Sequence, residues 1–145
     1  MAGQIHNLGL TADFIHWREW NKYKYHISID GNSSPWSNLF QQLLKGSPVL
    51  KVESSRGLVQ WYYDQLHPWH NYVPVAPDMS DLVDKVKWLR RNDETAKAIG
   101  RRGQQLVEQL SYDRELDRSA PVISSAIRYF AGRTDAAGPY GRVVD

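Results

Sequence analysis

Residues 22–74 constrain the fold more than any other part of the chain, because strand-like runs, polar turns and amphipathic stretches alternate there. In 23–29, Tyr23, Tyr25, Ile27 and Ile29 fall on one side of an extended chain. Lys22, Lys24, His26 and Ser28 fall on the other, a period of two. That pattern predicts a strand whose tyrosine and isoleucine face is buried. Asp30-Gly31-Asn32 ends it with turn chemistry. Pro35 suits the first turn of a helix, with Ser34 or Ser33 as N-cap. Leu39, Phe40, Leu43 and Leu44 supply that helix with an apolar stripe, and Gly46 closes it.

The pattern then repeats. Residues 48–52 read as a second strand, followed by the polar loop Glu53-Ser54-Ser55-Arg56-Gly57. Leu58, Trp61, Tyr62 and Gln65 share one face of a second helix, which Pro68 ends. Residues 71–75 form a third strand, and Pro74 places it at a sheet edge or at a strand end. Ahead of this core, Phe14, Trp17 and Trp20 predict a short helix that stops at Asn21. Behind it, Ser80 caps a helix carrying Leu82, Val86 and Leu89, and Asn92-Asp93 starts another. In that helix Gly103 sits inside the stripe Ala96, Ile99, Leu106, Leu110, which predicts close helix approach. A last helix over 112–131 is expected to kink near Pro121. The order strand–helix–strand–helix–strand, then helices, predicts an α/β fold, a Rossmann-like parallel sheet flanked by helices. Residues 1–12 read as a loose N-terminus, 13–131 as the single domain and 132–145 as a flexible tail.

Composition narrows the function. The 145 residues carry 18 basic and 16 acidic side chains, an excess too small to argue for nucleic acid. The absence of cysteine excludes disulfides, a thiol nucleophile and a thiolate metal site. No apolar stretch approaches the ~20 residues that cross a bilayer, and the N-terminus does not read as a signal peptide. A cytoplasmic chain, or one peripheral to a membrane, is expected.

The loop after the first strand is the main chemical signal. A loop running from a strand toward a helix start offers free N–H groups to an anion. Gly31 lets backbone approach a ligand, and Ser33, Ser34 and Ser37 add hydroxyl donors. The segment is neither G-x-G-x-x-G nor a P-loop, so a capped turn without a ligand fits equally well. In the second loop, Glu53 could hold a ribose hydroxyl pair, and Lys51 or Arg56 could meet a phosphate. A solvated charged loop accounts for the same residues. Trp36 could face a ligand from the first loop. His67-Pro68-Trp69-His70 sets two histidines three apart, yet no third ligand stands near and Pro68 spoils the helical spacing. No metal is expected there.

The ordered segments K-Y-K-Y-H-I-S-I-D-G-N, L-L-K-G-S-P-V-L-K, W-Y-Y-D-Q-L-H-P-W-H-N-Y-V-P-V and D-M-S-D-L-V-D-K-V-K-W-L closely resemble glycosyltransferase family 90. That family takes in a capsule protein, bacterial lipopolysaccharide-modifying transferases and animal protein O-glucosyltransferases. The resemblance runs from about Trp17 to Leu110. It implies a GT-B fold of two Rossmann-like halves, of which these motifs belong to the C-terminal, donor-binding half. It further implies a UDP-sugar donor, no bound metal or other cofactor, and an acceptor that is a surface polysaccharide, a lipopolysaccharide or a protein. By resemblance, Gly31, Asn32, Ser33, Ser34, Trp36 and Ser37 line the diphosphate, with the following helix N-terminus behind them. Lys51 and Glu53 stand by the nucleoside.

Two departures from the family pattern follow. The arginine that many members place after the glycine loop is replaced by Asn38, counting back from Gly46-Ser47. Lys51 or Arg56 then takes over the diphosphate, or donor binding weakens. Only some twenty residues precede Lys22, so the acceptor half with its aspartate base is expected to be absent, and catalysis to need that half or a companion chain. The alternative is a non-catalytic nucleotide- or sugar-binding module, or an inactive remnant.

Overall fold

Three short strands form where the period-two runs predict them: β1 (His26–Ser28), β2 (Val49–Val52) and β3 (Val73–Val75). They make one parallel sheet in the order β1-β2-β3, with Ile27 opposite Leu50 and Leu50 opposite Val73. The computed structural model describes residues 14–131 apart from Asn32 and Trp36, so the expectations for 1–12 and 132–145 lie outside the described residues. Four helices follow in chain order: α1 (Asn38–Leu44), α2 (Leu82–Arg91), α3 (Asp93–Gln109) and α4 (Tyr112–Ala131). The chain divides into two compact units, one through Glu108 and one from Gln109 onward.

In the first unit, each face of the sheet has its own cover. Leu50, Val52, Val73 and Val75 pack with Leu89 of α2 and with Ala96 and Ile99 of α3. On the other face, Leu39 and Leu43 of α1 are fully buried, each worth about 1.5–3 kcal/mol of transfer free energy. The crossover from β1 to β2 is helical, as the Leu39/Leu43 spacing requires. The crossover from β2 to β3 is not. Residues 58–68 form turns and one short 3₁₀ segment, Tyr63–Gln65, instead of the expected helix. Of the four residues expected on the inward face only Tyr62 is buried; Trp61 is exposed, and Leu66, outside that set, reaches the core instead. The expected helix near Trp17 is likewise a 3₁₀ helix, Trp17–Lys22, capped by His16 Nδ1 accepting from Arg18 N.

The faces of β1 are the reverse of the expectation. Tyr23, Ile27 and Ile29 remain 46, 41 and 49% exposed, whereas His26 and Ser28 are buried. The reason is position. β1 ends the sheet, α1 lies across its His26/Ser28 face, and the core on the opposite face reaches it only at half-buried Tyr25. Gln42 of α1 secures that packing by donating from Nε2 to the Ile27 carbonyl at 3.0 Å.

Burying His26 has a pH consequence. Its Nε2 is buried without a hydrogen-bond partner, and burial, helped by the Lys45 charge, pulls its pKa below the ordinary 6.5. As pH falls below 6.5, the unfolded chain takes a proton at this position before the folded one does. Stability is therefore lost over the window from 6.5 down to the lowered value. Urea midpoints compared at pH 7.5 and 5.5 should drop for the wild type. They should drop less for His26→Leu, which removes this buried imidazole from the titration.

The helix ends differ from expectation in two places. α1 begins at Asn38, with Ser37 as an N-cap that makes no side-chain cap bond, so neither Ser33 nor Ser34 caps it. Ahead of α2, Asp81 takes the cap position while its Oδ1 accepts from Ala76 N. Ser80 instead bonds Asp78 through both its N–H and its hydroxyl. Gly46 does close α1, at φ +72 with its N–H on the Leu43 carbonyl.

In the second unit, α4 continues through Pro121 to Ala131 and has no buried residue. Its Ser119 hydroxyl bonds the carbonyls of Glu115 and Leu116, on the turn before Pro121.

Candidate functional site

Parallel strands bring the loops that follow them to one end of the sheet. The loop after β1, residues 30–35, and the loop after β2, residues 53–57, therefore stand side by side. Side chains tie them together. Arg56 donates from Nη2 to the Gly31 carbonyl, and Gln60 donates from Nε2 to Ser34 Oγ. Each loop is also held within itself. Gly31 N donates to the Ser33 carbonyl at 3.0 Å, and Leu58 N donates to Ser54 Oγ at 2.9 Å.

Beneath the loops lies a polar cluster that local structure alone does not require. The register sets Ser28 opposite Lys51, both buried, on the α1 side of the sheet. Lys51 Nζ sits 4.6 Å from the centre of the Tyr63 ring. Burial pulls the Lys51 pKa below its usual value, while the charges of Asp30 and Glu53 oppose that change. Tyr63 is pushed up to about 12, first by burial and then by the Asp30 charge. Tyr62 moves up as well, mainly through burial. Ser28 Oγ, Asp30 Oδ2 and the hydroxyls of Tyr62 and Tyr63 are all buried with no hydrogen-bond partner. Unpaired buried polar atoms cost about 1–3 kcal/mol each, so together they mark a place where a polar ligand would be well received.

A cavity of about 450 Å³ opens beside the first loop, lined by Ser37, Phe40, Gln60, Trp61 and Tyr62. Its wall is aromatic. Phe40 and Trp61 pack edge-on to Tyr62 at 6.2 and 5.2 Å between ring centres. Gln60 lines the cavity and also holds Ser34, which joins this space to the loop. Such a cavity can take a planar or sugar ring against its aromatic surface and present polar groups at its rim.

The residues singled out in the sequence divide accordingly. Gly31, Ser33 and Ser34 lie on the first loop, and Ser37 and Asn38 are exposed at the start of α1. Lys51 is buried in β2, and Glu53 follows it, exposed, with its N–H on the Val75 carbonyl. Asn32 and Trp36 lie outside the described residues. The structure brings Gly31 and Ser34 together with Arg56 and Gln60. It does not set a helix N-terminus directly behind Gly31, because α1 starts only at Asn38. Asp30, Gln60, Phe40, Trp61 and Tyr63 escaped the sequence analysis as site residues. The signal was present in the Trp-Tyr-Tyr run, but a helical assignment turned those rings toward the core. His67 and His70 have ring centres 6.3 Å apart, and no cluster of three or more metal-ligating side chains occurs among the described residues. No helix among the described residues is long and apolar enough to cross a membrane.

Comparison with known proteins adds to this geometry. The model of the family described as Glycosyl transferase family 90 matches residues 10–120. Protein O-glucosyltransferase 3 of Rattus norvegicus is 42% identical over 83 residues, which cover 57% of this chain and 16% of that protein. Protein O-glucosyltransferase 1 of the same species is 34% identical over 98 residues, covering 67% of this chain and 24% of that protein. Uncharacterized protein 035R of Invertebrate iridescent virus 3 is 33% identical over 132 residues, covering 90% of this chain and 12% of that protein. The chain thus spans between about an eighth and a quarter of the length of these relatives.

Proposed function

The chain belongs to glycosyl transferase family 90, and on that premise we propose that it is the donor-binding half of a glycosyltransferase of GT-B architecture. In this reading the nucleotide-sugar-binding domain spans 13–131 and takes a UDP-sugar. The sugar is destined for a surface polysaccharide, a lipopolysaccharide or a protein. The observation that carries the reading is the pair of cross-tied loops over the Lys51–Asp30–Tyr63 cluster, at the carboxyl end of a parallel sheet.

The residues divide the work by charge and shape. Loop amides around Gly31, with the Ser33 and Ser34 hydroxyls, meet the diphosphate oxygens. Arg56 and Lys51 supply positive charge against the leaving diphosphate, the kind of fixed electrostatic support that glycosyl transfer requires. Glu53, exposed at the end of β2, is placed to accept from ribose hydroxyls. The cavity beside Phe40 and Trp61 receives a ring. No metal is assigned a role, and the base that accepts the acceptor's proton belongs to a separate acceptor-binding half. Asn38 favours one second reading, a binding module without catalysis, because an exposed amide stands where many family members have an arginine.

Calorimetric titration of the chain with UDP, with ADP as control, tests the reading. Selective UDP binding is expected. Lys51→Met keeps the buried stem and removes the charge, so the urea midpoint should hold or rise. UDP affinity should fall about 10- to 100-fold, the worth of one charge-assisted contact. Asn38→Arg should tighten binding. Equal affinity for UDP and ADP, unchanged in Lys51→Met, would sink the donor-site assignment.

A further inference from the structure

At the other end of the sheet, where β1 and β2 begin, lies a second cavity of about 440 Å³. It is walled by residues 21–25 ahead of β1, by 46–48 ahead of β2, and by one face of α3. None of the loops discussed above contributes to it. Four of its lining side chains are cationic, Lys22, Lys24, Lys97 and Arg101, against the single carboxylate Asp93.

The ion pairs show where charge is left over. Asp93 is shared between Lys24 and Lys97, the latter at 3.0 Å. Glu94 reaches Lys97 at 2.8 Å, and Glu19 reaches Lys22 at 3.3 Å. With Asp93, Glu94 and Glu19 each counted against one lysine, Arg101 remains without a counter-ion among the described residues, exposed at the cavity wall. Asp93, Lys97 and Arg101 follow one another at i, i+4 and i+8 on α3, so they line a single stripe facing the cavity. The opposite wall is Tyr23, about half exposed, whose carbonyl accepts from Ser47 Oγ at 3.2 Å. Tyr25 also lines the cavity, while its side chain packs against the core. The floor is rigid, because Gly100 of α3 is pressed against the backbone of Gly46, Ser47 and Pro48.

We propose that this cavity is a second ligand site, separate from the donor loops, that takes a phosphomonoester, with the Arg101 fork and the Lys97 ammonium on the phosphate. A planar guanidinium offers two parallel N–H bonds to such an oxyanion, and Lys97 can exchange its contact with Glu94 for one with the phosphate. Tyr23, half exposed, gives the rest of the ligand an aromatic wall. This suits a phosphorylated sugar better than free phosphate. Occupancy at this end would stiffen the junction of β1, β2 and α3 while leaving the loop end free.

The test is an amide-resolved NMR titration of the isotope-labelled 145-residue chain, first with inorganic phosphate and then with glucose 1-phosphate, against potassium chloride at matched ionic strength. Saturable shifts are expected at Ser47, Lys97 and Arg101, with Gly31 to Ser34 unmoved. Arg101→Gln, at an exposed side chain, should keep the fold and weaken binding at least tenfold. Tighter binding of glucose 1-phosphate than of phosphate, lost in Tyr23→Ala, would assign the tyrosine wall to the sugar. Equal affinity for the two would overturn the sugar assignment. Shifts that track ionic strength alone, that persist in Arg101→Gln, or that concentrate on the donor loop would overturn the site itself.

Discussion

Replacing Gly100 with alanine is expected to destabilise the first unit by about 2–4 kcal/mol, a large share of a typical domain stability of about 5–15 kcal/mol. Intrinsic preference argues the other way, since alanine is better than glycine inside a helix by about 1 kcal/mol. Packing decides the sign. A Cβ on Gly100 would come within 2.9 Å of Pro48 N and of Ser47 C, and closer still to the Gly46 carbonyl oxygen. All three are backbone atoms of the turn that launches β2, so no side chain can rotate away. Either α3 lifts off the sheet or β2 shifts in register, and both moves open the core around Leu50 and Ile99. Urea denaturation reads the result directly. With a slope of about 1–3 kcal/mol/M, the midpoint should fall by about 0.7 M or more. Gly31→Ala is the control, because nothing lies within 4 Å of a Cβ there. A midpoint for Gly100→Ala at or above wild type would mean that α3 does not press on that turn.

The second large effect is expected at Asn71. Its side chain is buried and bridges the turn ahead of β3, accepting from His67 N at 2.8 Å and donating to the Gln65 carbonyl at 2.9 Å. The turn it holds is strained, with Trp69 at φ +62, a conformation that costs an ordinary side chain about 1–2 kcal/mol. α3 adds further restraint. Arg102 Nε donates to the His70 carbonyl at 2.6 Å, and the Asn71 carbonyl lies so close to Gly103 that a Cβ there would approach to 2.7 Å. Asn71→Ala leaves two part-buried backbone groups unpaired, up to about 1–3 kcal/mol each, and frees Trp69 to relax. A loss of about 2–4 kcal/mol is expected, read as a drop of roughly 10 °C or more in Tm at about 4–8 °C per kcal/mol. Asn71→Asp retains the acceptor for His67 N and loses the donor, so it should fall between wild type and alanine. An alanine variant that melts with wild type would show that the turn is held by its other contacts.

Much of the fold was legible because it rests on short-range signals. The three strand runs, Gly46 at the end of α1, the break at Asn92-Asp93 and the close approach at Gly103 all follow from local pattern and chain geometry. Two failures have a common physical origin. Period-two alternation in 23–29 says that β1 has two different faces, but which face is covered depends on where α1 lies, a tertiary fact. Helical spacing in 58–65 points Trp61 and Tyr62 inward together, yet the segment folds as turns with one short 3₁₀ piece, which buries Tyr62 and Leu66 and leaves Trp61 exposed. The candidate site was legible at Gly31, Ser34 and Lys51, each named from position relative to a strand end. Asp30, Gln60 and Tyr63 were not, because their part comes from neighbours far along the chain. Lys51 over the Tyr63 ring and Gln60 on Ser34 exist only once the second loop folds beside the first.

Pro74 lies at the centre of β3, and its position gives the sheet a direction of growth. Alternation turns Val73 and Val75 toward β2, so the missing N–H of Pro74 is on the open side, at the middle of a three-residue strand. A further strand laid against that side would meet a ladder with its central rung removed. β1 carries no such block. Its outward residue Ile27 is half exposed and spends only a carbonyl on the Gln42 side chain. The sheet behaves like a polymer with one capped terminus: among the described residues β3 is its last strand, and a further strand is expected to be seated beside β1.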